Sequence, residues 1–374
     1  MKFIVSSAAL YSHLQAVSRV INSKNALPIL DCFLFNLEDD VLSITVSDSE
    51  TTMDTSIKVI ESESDGKVAI TARTLQDALK EIPEQPLTFS VDPSTLEVTV
   101  TYQNGQYSLM GQDANEYPQA ASLSEDAVKL DMEVDSLLTG INRTVFATAD
   151  DELRPVMNGV YFDITPESLI MVASDGHKLV RCQILDSKGN DRAAFILPKK
   201  PANLLKSILP KEQGDVSISF DERNAIFSLG NYRMICRLIE GRYPNYNAVI
   251  PKDNPYKVTV DRMLLIGALR RVSIFSSQAS SLVKLKLVEN NINISAQDID
   301  FSTSAEESLA CQYGGTEMSI GFKSTFLIDI LSNISSDEVV VELADPSRAG
   351  VIIPVEQEEN EELLTLLMPM MLND

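Results

Sequence analysis

The sequence predicts an α+β protein of three similar domains, each with two helices packed on antiparallel strands. Three observations carry this. The chain has 374 residues, too many for one ordinary core. Four residue patterns recur at close to a third of its length. Between the recurrences, apolar residues change from the helical spacing of three and four to the alternation of strands. The domains are set at residues 1–126, 127–254 and 255–374, with linkers near 122–128 and 251–256, where proline and charge interrupt the pattern.

Each domain opens on an alternating strand, "MKFIVS", "KLDMEV" or "YKVTVD", and continues into an amphipathic helix, "ALYSHLQAVSRVI", "SLLTGINRTVFAT" or "RMLLIGALRRVSI". The first recurrence lies here: Leu14, Ala16, Arg19 and Ile21 return as Leu138, Gly140, Arg143 and Val145, then as Leu265, Gly267, Arg270 and Val272. A three-strand meander follows, as in "GVYFDITPESLIMVASDGHKLVRCQI", with "TPES" as a turn. Its alternating middle strand gives the second recurrence, Leu42-Ile44-Val46-Asp48, Leu169-Met171-Ala173-Asp175 and Ile292-Ile294-Ala296-Asp298.

A further strand enters the second helix, "RTLQDALKEI", "KKPANLLKSI" or "KSTFLIDILSNI". Pro201 sits near the start of one, where its missing N–H costs little. The third recurrence sets a cation after an isoleucine at this entry: Ile70 and Arg73, Ile196 and Lys199, Ile320 and Lys323. Closing strands follow, with hairpins at Asn104-Gly105 and Gly230-Asn231. The fourth recurrence is the pair Tyr117-Pro118, Tyr243-Pro244 and Met368-Pro369. The acidic run 356–363 reads as a solvated loop.

The start of the chain lacks the apolar core of a signal peptide, and no apolar run nears the roughly 20 residues that span a bilayer. A cytoplasmic protein away from membranes is expected. Cys32, Cys182, Cys236 and Cys311 lie far apart without metal-ligand spacing, so buried reduced thiols are expected, with no metal and no cofactor.

Thirty-one Lys and Arg stand against 54 Asp and Glu, a net charge of −23. That total argues against nucleic acid, which demands clustered cations, but says nothing of where charges sit. Arg19, Lys24, Arg73, Lys80, Arg143, Lys199, Lys200, Lys206, Arg270, Arg271 and Lys323 all fall on or beside the helices. Acid falls on strands and turns. Lys and Arg also suit any solvated helix face. A helix layer with cations at matched positions could equally meet a phosphate backbone without reading bases.

His177, one of two histidines, follows the Asp175-Gly176 turn in "VASDGHKLVRC". Histidine is the common general base, with Asp175 near enough in sequence to orient it. No nucleophile elbow or phosphate-cradling loop accompanies the pair. Asp48 and Asp298 share its repeat position, which makes Asp175 an Asx-turn residue. A hydrolase using His177 and Asp175, or a repeat-built scaffold without nucleic acid, are the rival readings.

The segments "MKF", "LPIL" (Leu27–Leu30), "MNGVYFD" (Met157–Asp163), "SDGHKL" (Ser174–Leu179), "EGRYPNY" (Glu240–Tyr246), "MSIGF" (Met318–Phe322) and "LLMPMM" (Leu366–Met371), in this order and spacing, resemble the bacterial DNA polymerase III beta subunit, the sliding clamp and processivity factor. The resemblance covers the whole chain. It implies a non-enzymatic homodimer, joined head to tail, whose six clamp domains close into a ring around duplex DNA. Such a ring tethers the replicative polymerase and other DNA-processing proteins, and a clamp loader opens it.

Carried over residue by residue, the resemblance implies DNA contacts at Lys24, Arg73, Arg154, Lys199 and Lys200. It implies a dimer interface of Tyr107 and Leu109 against Ile274 and Phe275. A groove for partner peptides, which carry a glutamine and a pair of leucine or phenylalanine anchors, would comprise Met157, Ser174, Gly176, His177, Lys178, Leu179, Pro244, Val249, Phe326, Ser347, Ala349, Leu366, Met368, Pro369 and Met370. Its methionines suit a surface that accepts varied partners. Three departures stand out: Pro155 and Val156 replace aromatics, Ala248 replaces an arginine, and Met371, with Asn373 and Asp374 beyond, replaces a basic end.

Overall fold

The computed structural model describes residues 1–22 and 24–372, and among them each of the three expected domains repeats internally. Each domain is two copies of a smaller motif, a strand, a helix and a three-strand meander. In the first domain these are Lys2–Ser6, α1 (Ser7–Val17), Cys32–Glu38, Val41–Ser47 and Thr51–Lys58, then Gly66–Thr71, α2 (Ala72–Lys80), Pro86–Val91, Glu97–Tyr102 and Gly105–Met110. The second has Val128–Glu133, α3 (Val134–Thr144), Gly159–Ile164, Leu169–Ser174 and Lys178–Ile184, then Ala193–Pro198, α4 (Lys199–Ile208), Asp215–Phe220, Asn224–Leu229 and Tyr232–Arg237. The third has Tyr256–Asp261, α5 (Arg262–Ser273), Leu282–Val288, Asn291–Asp298 and Thr303–Ala310, then Met318–Lys323, α6 (Ser324–Ser332), Glu338–Leu343, Gly350–Pro354 and Glu361–Leu367.

Paired motifs exchange their first strands. Lys2–Ser6 pairs with Pro86–Val91, and Gly66–Thr71 with Cys32–Glu38, and the later domains repeat the exchange. Neither motif can then bury its own sheet without the other.

The chain divides into two compact units, residues 1–135 with 203–238, and residues 136–202 with 239–374. In the first, Thr51–Lys58 pairs antiparallel with Tyr232–Arg237, giving an eight-stranded sheet beside a five-stranded one that ends on Gly105–Met110. In the second, Lys178–Ile184 pairs antiparallel with Glu361–Leu367, giving another eight-stranded sheet beside a four-stranded one that ends on Thr303–Ala310. Both joints bring together the last strands of two meanders. Sheets are therefore shared between domains.

Helices cover one face in each unit, α1 against α2 in the first and α5 against α6 in the second. Ser6 caps α1 through the Ala9 amide (3.1 Å), and Asp261 caps α5 through the Leu264 amide (2.8 Å), each satisfying a donor left free at a helix start.

The recurrences fare unequally. The second holds residue for residue: its nine apolar members are buried, and Asp48, Asp175 and Asp298 each accept amide hydrogens two and three residues on. The other three slip, because short patterns tolerate a shift that packing does not. Counted from the helix starts, Leu10 and Leu14 correspond to buried Leu137 and Ile141 and to Leu265 and Leu269, so Leu138 and Arg143 are misaligned with Leu14 and Arg19. Ile70 matches Leu197 and Phe322, which face Phe33, Val160 and Val283 across their sheets. Arg73 then matches Lys200 and Thr325, and the third domain has no cation at this place. Tyr117 and Tyr243 are buried, whereas Met368 lies exposed just past its strand.

Smaller corrections concern turns and loops. The first hairpin turns on Gln103-Asn104, one residue earlier than expected, while Gly230, at φ +50°, turns where predicted. Only residues 356–360 of the acidic run form a loop; Glu361 opens the last strand and is 4% exposed. Three cysteines are buried, with the Cys236 thiol pushed up to about 12 by burial, but Cys311 is half-buried.

Candidate functional site

Between Leu169, Met171 and Ala173 the intervening Ile170 and Val172 are apolar as well, because both faces of this strand are covered. Met171 and Ala173 face the helix side. Val172 faces the other way and, with Leu179, Ile196, Tyr243, Tyr246, Ala349 and Leu366, forms a buried apolar floor. Tyr161 stacks on Tyr243, ring centroids 4.7 Å apart, and Tyr246 Oη donates to Asp163 Oδ2 at 2.8 Å, so the "RYPNY" segment is pinned to the sheet at both tyrosines. That pinning leaves Pro244 and Val249 exposed at the rim.

The turn Ser174–Lys178 forms the next wall. Asp175 Oδ1 accepts the amides of His177 and Lys178, both at 2.9 Å, and Ser174 Oγ donates to the Lys178 carbonyl at 2.8 Å while accepting the Gly176 amide. Gly176 has φ +90°, a backbone conformation that favours glycine, and the flexible end of Arg154 lies where a Cβ would point. The His177 carbonyl accepts the Met368 amide at 2.8 Å, which ties the last described segment to this wall.

Lys178 is 5% exposed; its Nζ lies 2.5 Å from Asp175 Oδ2 and 4.2 Å from the centroid of Phe326. Lys323 Nζ lies 4.7 Å from the same ring, and the His177 ring rests against it. Ser347 and Met370 line an adjoining hollow of about 290 Å³ with Met371. Met157 is buried, with Val156 packed on the floor, and Pro369 is half-buried between exposed Met368 and half-buried Met370. Of the residues expected of the groove, Leu179, Ala349 and Leu366 share one buried cluster, His177 and Lys178 meet Phe326, Met368 bonds His177, and Ser347 and Met370 line one hollow.

Three cations are already partnered. Lys178 offers no free cation, since Asp175 neutralises it. Arg154, expected toward DNA, keeps half its side chain exposed while donating to Asp151 Oδ2 at 2.8 Å and to the Asp175 carbonyl at 3.3 Å, so it also braces the turn. Arg143, counted among the helix cations, is paired inside the second unit: it donates to Glu361 Oε1 at 2.7 Å and to the Asn333 carbonyl at 2.7 Å. Sequence reading missed this pair, the floor tyrosines and Val172. The unbroken apolar run around Val172 was the one available signal.

Among the other expected DNA contacts, Lys24 is exposed and Arg73, with its side chain 94% exposed, stands in the first turn of α2. Lys199 and Lys200 open α4, and Lys199 Nζ is 2.6 Å from Asp150 Oδ2. Asn373 and Asp374 lie outside the described residues. Ala248 and Met371 are exposed, so neither rim position supplies a charge. Among the described residues no cluster could hold a metal ion, and no helix is long and apolar enough to cross a membrane.

The comparisons with known proteins agree along the whole chain. Models of the DNA polymerase III beta subunit match its N-terminal domain at residues 1–121, its central domain at 131–245 and its C-terminal domain at 247–371. This chain belongs to the DNA polymerase III beta subunit family. It is 26% identical to the beta sliding clamp of Pseudomonas putida over the full length of both, and 26% identical to that of Staphylococcus aureus over 95% of this chain and 96% of the relative. The crystal structure of the DnaN sliding clamp from Bartonella birtlesii bound to griselimycin is 28% identical, covers all of both chains and has a TM-score of 0.94; the Pseudomonas aeruginosa clamp with the same ligand also reaches 0.94 over all of both chains, at 26% identity.

Members of the family are DNA sliding clamps for DNA polymerase III, processivity factors without catalytic activity, and that is the function of this chain. The geometry accounts for His177 in those terms. Both oxygens of Asp175 are engaged by amides and by Lys178, so no carboxylate orients the imidazole as a base. His177 holds Met368 through its backbone and packs on Phe326 through its ring.

Burial pushes the Asp175 carboxyl up, but the hydrogen bond from Lys178 Nζ and those from the two amides together outweigh it and hold the group below the usual carboxylate range. A folded pKa below the unfolded value stabilises the turn at every pH above about 4, and that contribution is lost as pH falls through the depressed value. Binding of a fluorescent groove peptide is therefore expected to be insensitive to this group from pH 8 to 5 and to weaken below 4. Asp175→Asn, which strands the buried Lys178 ammonium, is expected to lose about 2–3 kcal/mol of binding already at pH 7. Equal affinity of the two proteins at pH 7 would contradict this.

Proposed function

We propose that two copies of the chain close head to tail into a ring of six domains around duplex DNA, with replication proteins docking short peptides in the groove. The carrying observation is the joint between sheets. Two joints form by antiparallel pairing of meander-final strands, and among the described residues Gly105–Met110 and Thr303–Ala310 are the two such strands left at sheet edges. Unpaired edges are an aggregation hazard. Joining Gly105–Met110 of one copy to Thr303–Ala310 of the next satisfies both, and the contact closes after two copies.

Half-buried Tyr107 and Leu109 alternate along the first edge, and exposed Ile274 and Phe275 follow α5, which packs under the second. The Tyr107 hydroxyl is buried without a partner, as fits a strand awaiting another. Lys24, Arg73, Lys199 and Lys200 face the duplex as sequence-independent phosphate contacts. With so few cations the contacts are weak and salt-sensitive, and retention is topological. A clamp loader opens the ring, and the protein works in the cytoplasm. Its domains run over residues 1–126, 127–254 and 255–374.

Loading onto nicked circular DNA followed by linearisation tests this. Retention on the circle and release on cutting are expected; equal loss from both would exclude encirclement.

A further inference from the structure

We infer that the loop 150–158 sets duplex and partner peptide against each other: a phosphate taken up by Lys199 draws a brace away from the turn that walls the groove, so the protein holds peptides less tightly on DNA than off it. This rests on the ring and groove readings above.

The loop joins the two places concerned. At one end the Lys199 amide, at the start of α4, donates to the Asn158 carbonyl at 3.1 Å, and Lys199 Nζ donates to Asp150 Oδ2 at 2.6 Å. Asn158 is locked to Asp151, whose amide donates to Asn158 Oδ1 at 2.9 Å and whose carbonyl accepts from Asn158 Nδ2 at 3.1 Å. At the other end Arg154 donates to Asp151 Oδ2 and to the Asp175 carbonyl. One continuous run of hydrogen bonds therefore links the lysine assigned to DNA with the groove wall, inside a single compact unit.

Charge gives the coupling its sign. Asp150, Asp151 and Glu152 follow one another beside Lys199, and the Asp150 side chain is 80% exposed. A phosphate that takes the Lys199 ammonium displaces Asp150 and stands against this acidic run, where like charges repel. The loop can yield at little cost, because Leu153 at its tip is 92% exposed and loses no burial when it moves. Arg154, half exposed, has two alternative partners: the carboxylate and turn it holds now, or the incoming phosphate, which its planar fork suits. Retreat of Asp151 and the pull of the phosphate act the same way, and both take Arg154 from the Asp175 carbonyl. The turn Ser174–Lys178 keeps its internal bonds but loses its outer brace, and the wall carrying His177 and Lys178 loosens. The effect is mutual, since a peptide that fixes the turn weakens the Lys199 contact by the same factor. Partners then exchange more readily once the protein is on DNA.

The test titrates an uncharged peptide, acetyl-Gln-Leu-Ser-Leu-Phe-amide with a neutral label, against the full chain free in solution and loaded on nicked circular DNA. Such a probe feels no direct repulsion from the duplex. Binding about fivefold weaker on the circle is expected, the lower end of ordinary coupling between sites. Asp150→Asn, which removes the charge that the phosphate pushes on, is expected to bind the peptide unchanged off DNA and to abolish most of the difference. Arg154→Gln, which removes the brace, is expected to bring the free protein down to the affinity of the loaded one. Equal affinity on and off DNA overturns the inference, and so does a difference that survives both substitutions. Should the peptide fail to bind the free protein, the groove reading falls; should the protein not stay on the circle, the ring reading falls; either takes this inference with it.

Discussion

Glu361→Ala is expected to lower stability by about 3–5 kcal/mol, the cost of leaving a buried charge without its partner. Glu361 is buried in the last strand, and Arg143 reaches it from α3 with Nε and a second nitrogen while also bonding the Asn333 carbonyl and Ser335 Oγ. The guanidinium cannot follow the lost carboxylate into water without giving up those bonds. The pair links the second domain to the third within one unit, so its loss loosens the strand that carries the groove's Leu366 and leads into Met368. Replacing both residues, Arg143→Met with Glu361→Leu, is expected to cost much less, because no charge is stranded. The chain has no tryptophan, so urea unfolding is followed by circular dichroism. Equal losses in the single and double variants would mean that the pair is not a buried charge couple.

Leu109→Asp is expected to split the dimer with little effect on the folded chain. Leu109 stands half-buried on the edge strand Gly105–Met110, where a carboxylate stays wetted in the separate chain but would be buried against Ile274 and Phe275 in the proposed ring. Burying an unpaired charge costs several kcal/mol, and a ring of two copies has two such contacts, so dimer affinity should fall by about a thousandfold or more. Sedimentation velocity across a dilution series reads this. A dimer that survives at unchanged affinity would place the contact elsewhere.

How much of this was legible in the sequence depended on which physical signal each feature leaves. Alternation in Leu42–Asp48, Leu169–Asp175 and Ile292–Asp298 gave the middle strands and their Asx turns without error, because burial and turn chemistry act on the same few residues. The helices were placed to within four residues at either end. The exchange of first strands left no local trace: Lys2–Ser6 reads the same whichever meander it joins. The period was therefore taken as three domains, when the unit of packing is half a domain.

Charge was harder still. Arg143 and Arg154 look like surface cations in a one-dimensional list, and only their partners, Glu361 from 218 positions away and the turn at Asp175, reveal them as braces. The proposed groove rests on family resemblance, not pattern; its floor of Val172, Tyr243 and Tyr246 comes from separate segments of the chain.

Ring closure is tested most directly by a covalent lock. With Cys311 replaced by serine and the other native thiols buried, Leu109→Cys and Ile274→Cys are introduced together, the protein is loaded on nicked circular DNA, and a short bismaleimide is added. A cross-linked dimer that stays on the circle through denaturant and is freed by linearisation is the predicted result. Cross-linking that forms no dimer, or a cross-linked dimer that denaturant strips from intact circles, would contradict a closed ring.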